Sequence, residues 1–72
     1  MTAEEWIRGF AKEIGAPAPT PDEMNEILRL AGVAAHASER IAAPIACYLV
    51  GLSDRSLADA LEAAEGVSER GS

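Results

Sequence analysis

Apolar residues recur with a helical period along the first fifteen positions. Trp6, Phe10 and Ile14 are spaced by four, with Ile7 and Ala11 beside them. That spacing puts them on one face of a helix. Thr2-Ala3-Glu4-Glu5 fits a capping box at its start, in which the threonine hydroxyl and the Glu5 carboxylate each cap a free backbone N–H. Gly15 is a natural C-terminal cap. Trp6 and Phe10 have the geometry of a ligand-stacking pair, but this spacing is that of core residues. The segment APAPTP (16–21) breaks the pattern. Its prolines lack N–H groups and push the residues before them toward extended geometry.

A second helix is predicted from Pro21 to Ser38 or slightly beyond. Thr20 caps it, Pro21 takes the first helical position and Glu23 closes the box. Met24, Ile27, Leu28, Ala31, Ala35 and Ser38 share one face at about 100° per residue. Leu30, Ala34 and Ala37 widen the apolar arc, which places this helix at the centre of a bundle. The remaining polar wedge holds Asn25, Glu26, Arg29, Gly32, His36 and Arg40. Gly32 leaves a gap there that a ligand or backbone can approach.

A third helix is expected within Pro44 to Leu52, with Ala43 non-helical because it precedes a proline. Its residues are apolar on every side, so it is expected in the core or against a partner. Gly51 or Ser53 ends it. Cys47 to Val50 leans toward strand, but a lone strand has no partner in this chain. A fourth helix follows, capped by Ser53 or Ser56, with Leu57, Ala60, Leu61, Ala64 and Val67 as its stripe. The tail, residues 66–72, is expected to fray. The architecture expected is a single all-α domain over 1–72, a small four-helix bundle with a central, largely apolar third helix.

Size sharpens this picture. A 72-residue chain buries only about 60% of its unfolded surface. One cysteine, Cys47, forms no internal disulfide. No cluster of cysteines and histidines marks a structural metal. Good helix propensity and association with another chain are the remaining aids, and helix three with nearby parts of helix one is the expected homodimer face. The net charge of −6 argues against nucleic acid and against an anionic membrane surface. The start of the chain is not patterned as a signal peptide. Ile41 to Ser53, the longest uncharged stretch, is too short for a membrane-spanning helix. A soluble, cytoplasmic protein is expected.

Candidate chemistry is sparse. Arg29, His36 and Arg40 align as a basic strip that suits phosphate or carboxylate; the plainer reading is a solvated face balanced by Glu26 and Glu39. His36 has Glu39 and Arg40 within side-chain reach along a helix, for an anion cradle or for a network tying down the end of helix two. Cys47 beside Tyr48 offers a nucleophile and an acid, but apolar surroundings make a thiol inert. No phosphate loop, zinc motif or nucleophile elbow is present, so no catalysis is expected. Asp54-Arg55-Ser56-Leu57 is similar to the Asp-Ser-Leu motif of acyl carrier proteins, interrupted by an arginine and late in the chain.

The stretch Leu30 to Leu52 carries a family likeness. Its features are Ala35-His36, Glu39-Arg40, Ala42-Ala43-Pro44-Ile45 and Tyr48-Leu49-Val50-Gly51-Leu52. It resembles a small, functionally uncharacterised bacterial helical domain found alone or appended to molybdenum-cofactor guanylyltransferases (molybdopterin-guanine dinucleotide biosynthesis protein A). The rest matches in organisation. Members commonly have proline after the arginine, where this chain has Ile41. The resemblance implies a role in molybdenum-cofactor maturation, holding a guanylyltransferase, a molybdoenzyme or a nucleotide product. His36, Arg40 and Pro44 carry over as family-typical positions, and no catalytic residue does. The function expected is a noncatalytic accessory or protein-interaction module without a cofactor. The alternatives are a small phosphate- or nucleotide-binding protein using Arg29, His36 and Arg40, and an acyl-carrier-like protein.

Overall fold

Each of the first two helices begins with a reciprocal cap. Thr2 N–H donates to Glu5 Oε1 at 3.0 Å, and Glu5 N–H donates to Thr2 Oγ1 at 3.1 Å. Thr20 and Glu23 repeat the arrangement at 2.8 and 3.1 Å. The computed structural model describes residues 1–71. It is all-α, with α1 over Ala3–Ile14, α2 over Pro21–Ala37, α3 over Ala42–Leu52 and α4 over Leu57–Gly71. Helix α4 thus continues through the segment expected to fray, of which Ser72 lies outside the described residues.

Helix α1 ends as the glycine requires. Gly15 has φ of 74°, which costs a glycine nothing. Its N–H donates to Lys12 O at 3.2 Å, and Ala16 N–H donates to Ala11 O at 2.8 Å. These are the paired bonds of a Schellman motif. Residues 16–20 then run without helix into the Thr20 cap.

Helix α3 starts earlier than the expected Pro44. Ala42 and Ala43 are helical, and their N–H groups donate to Glu39 O and Arg40 O. Pro44 therefore lies in the first turn, where its missing N–H leaves no bond unmade. That fit outweighs the usual bias of a pre-proline residue away from helix. Ser53 closes α3, its hydroxyl donating to Val50 O at 2.9 Å. Ser56 opens α4, accepting from Asp59 N–H at 3.1 Å.

Helix α2 is the hub. Helices α3 and α4 each pack along it, and no other pair of helices shares a packed length. The core is small: among the described residues only Ala11, Leu30, Ala60 and Leu61 are buried. Leu30 at 3% exposure marks the line on α2 that its neighbours cover, whereas Leu28 is 66% exposed. The covered face is therefore turned toward Leu30 from the expected Ile27–Leu28–Ala31 stripe. The expected central place of the third helix is not borne out by burial. Helix α3 contains no buried residue, and α1 packs along no other helix. The chain extends over 39 × 25 × 19 Å, with a radius of gyration of 12.9 Å. A compact domain of this length has about 11 Å.

Candidate functional site

The three basic positions do not form one helical strip. Arg29 and His36 lie seven residues apart, two turns along the exposed side of α2. The helix stops at Ala37, because Ser38 departs to φ −140°, ψ −97°. Its N–H and hydroxyl both donate to Ala34 O, at 3.2 and 2.9 Å. Arg40 consequently lies in the turn before α3. No hydrogen bond or ion pair joins Arg29, His36, Glu39 or Arg40 among the described residues. The one ion pair there is Arg8 to Glu4, at 3.9 Å on the exposed side of α1. A Cβ built on Gly32 would meet nothing within 4 Å, so the expected gap is open surface rather than a cleft. His36, in the last turn of α2, faces the negative end of the helix dipole, which favours a cation over an anion.

Of the remaining candidates, Cys47 and Ser56 are held in structural roles and Tyr48 is not. Cys47 is half-buried and lines a small apolar cavity of about 150 Å³ with Ile27, Leu30, Val50, Gly51 and Leu57. Tyr48 is 65% exposed. The Ser56 hydroxyl is engaged as the α4 cap. No group of three His, Cys, Asp or Glu side chains able to hold a metal exists among the described residues. No helix is long and apolar enough to cross a membrane among them.

The concave feature of the molecule lies elsewhere. An open groove of about 630 Å³ runs between α3 and α4, with α2 as its floor. Its floor is Leu30, Ala34 and Ala37; one wall is Ala42, Ile45, Ala46 and Leu49; the other is Ala60, Ala63, Ala64 and Val67. Arg55 is the one charged residue among those lining it. The groove follows from the hub arrangement. Two helices docked on α2 without packing on each other leave a trough. Many of its lining residues are alanines. No residue of α1 lines it.

Two convex apolar surfaces accompany the groove. On α1, Trp6, Phe10 and Ile14 are 49–60% exposed, and the Trp6 and Phe10 rings stack with centroids 5.0 Å apart. At α3, Ile41, Tyr48 and Leu52 stand outward, away from the Ala43–Cys47–Val50 side that α2 partly covers. Sequence reasoning placed Trp6 and Phe10 in the core, and helix three in the core or against a partner. Nothing in local spacing distinguishes an apolar helix covered by its own chain from one left open.

The fold is that of a small all-α domain with an open apolar groove and two exposed apolar faces. The chain belongs to the family described as domain of unknown function DUF6457, whose model matches residues 1–71. No curated protein matches the chain, and no solved structure does.

Proposed function

We propose that this domain is a noncatalytic accessory module that acts in the cytoplasm by docking on a partner protein. The observation that carries this reading is the exposed outer face at α3. Ile41, Tyr48 and Leu52 are 65–72% exposed on a segment without a charged side chain from Ile41 to Ser53. Apolar surface left in water costs about 25 cal/mol per Å² relative to burial, and contiguous patches of it mark interaction sites. Tyrosine at the middle of such a patch is a common anchor of binding energy. The resemblance of Ala35-His36, Glu39-Arg40 and Tyr48–Leu52 to the guanylyltransferase-associated domain supports a partner in molybdenum-cofactor maturation. That partner is the guanylyltransferase or a molybdoenzyme.

Affinity capture from the native cell tests this. The intact domain should retain a guanylyltransferase or molybdoenzyme, and Tyr48→Asp should lose it with unchanged helical circular dichroism. Salt-sensitive binding of molybdopterin-guanine dinucleotide or simple nucleotides, lost in Arg40→Ala and without protein capture, would replace this reading with a ligand-binding one.

A further inference from the structure

We infer that two copies of this chain exchange their first helices, the α1 of each lying in the α2–α3–α4 groove of the other. The inference deepens the reading of an interaction module but needs no foreign partner. Three observations carry it.

The first is area. The chain exposes 5723 Å². A folded monomer of 7.5 kDa is expected to expose about 4,200 Å². The difference is on the order of 1,500 Å² per chain, or about 3,000 Å² for a pair, which lies in the range of obligate homodimers.

The second is shape. Each chain carries one convex apolar ridge, Trp6–Phe10–Ile14, and one concave apolar trough walled by alanines. Large side chains on the ridge fill the space small ones leave in the trough, as an amphipathic helix fills a groove. A foreign helix in the trough would leave the α1 ridge in water. Reciprocal exchange covers both surfaces at once and closes with two-fold symmetry.

The third is the connector. Ala16-Pro17-Ala18-Pro19-Thr20 is non-helical, and proline-rich segments are extended and semi-rigid. With the Schellman turn at Gly15, it presents α1 as a separate arm. Such an arm on a short stiff hinge is the usual element exchanged between protomers.

A complementation experiment with the full chain tests the exchange. Phe10→Asp spoils the ridge and leaves its own trough intact; Ala64→Arg spoils the trough and leaves its own ridge intact. Each alone should weaken dimerisation on the order of 100-fold or more. An equimolar mixture should regain a dimer in sedimentation. One exchanged interface is then native, and in the other an aspartate meets an arginine. The unmodified chain gives a second readout. Its single tryptophan, Trp6, should emit to the blue in the dimer and shift red as dilution separates the copies. That readout decides the matter if either variant loses helix. A chain that stays monomeric throughout overturns the inference, including one whose Trp6 is shielded by its own groove. So does a dimer indifferent to both substitutions, or well-folded variants that fail to complement. Partner capture that fails while the dimer persists counts only against the docking proposal on α3.

Discussion

Helices α3 and α4 dock on the same hub and end differently. The less apolar helix, α4, contributes two of the four buried residues, Ala60 and Leu61. The more apolar helix, α3, contributes none. Helix α4 is amphipathic, so its contact with α2 buries Ala60 and Leu61 at the centre of its stripe, while Val67 at the far end of the stripe stays exposed in the groove. Helix α3 is apolar all round, so a single contact satisfies one side and leaves the rest exposed. With one neighbour each, the two helices differ in how their apolar residues are arranged, and burial follows that arrangement rather than how apolar the helix is. An all-apolar helix with one neighbour keeps much of its apolar surface in water.

The sharpest way to break this contrast is at the hub. Leu30→Ala removes the most buried side chain of the molecule and should cost about 2–5 kcal/mol. That is a large share of the roughly 4–11 kcal/mol a 72-residue domain commands, so thermal melting followed by circular dichroism should show most of the helix lost near room temperature. A smaller effect, about 1 kcal/mol, is expected from Thr20→Ala, which removes the α2 cap. The same change at Thr2 should fray α1 and leave the melting of α2–α4 unchanged at monomer concentrations. On the open side, Leu52→Ser should shift stability by no more than about 0.5 kcal/mol while abolishing partner capture. If it destabilised the monomer as Leu30→Ala does, α3 would be core after all.

Acidification gives the smallest effect. Glu5 has its pKa lowered by the backbone N–H of Thr2 and then by the Thr2 side chain. A carboxyl with a depressed folded pKa stabilises above its unfolded value and loses that contribution as pH falls through the folded one. Lowering pH below the ordinary carboxylate range should therefore loosen the first turn of α1. Amide exchange at Glu5 would report it, and Thr2→Ala, which keeps the backbone N–H but loses the hydroxyl, should weaken the dependence without abolishing it.

What sequence could reveal here divides by range. The caps at Thr2, Gly15 and Thr20 were legible because each depends on hydrogen bonds closing within five residues. The all-α class followed from periodicity. The start of α3 was misplaced because the rule against helix before proline ignores that Pro44 in a first turn loses no bond. The Arg29–His36–Arg40 line was drawn by continuing α2, and Ser38, folding back on Ala34 O, ended it sooner. The groove was not legible at all. It is the space between two helices that each pack along α2 but not along one another, a property of docking rather than of any residue's neighbours in the chain.

The lack of an extended α3–α4 contact also bears on folding. With α2 formed, either flank can attach without waiting for the other, so the chain has two parallel routes to its native state instead of one obligatory sequence. It also has two half-docked forms between native and unfolded. The amides of α3 and α4 should then exchange with separate opening free energies, while those of α2 open only when both flanks have let go.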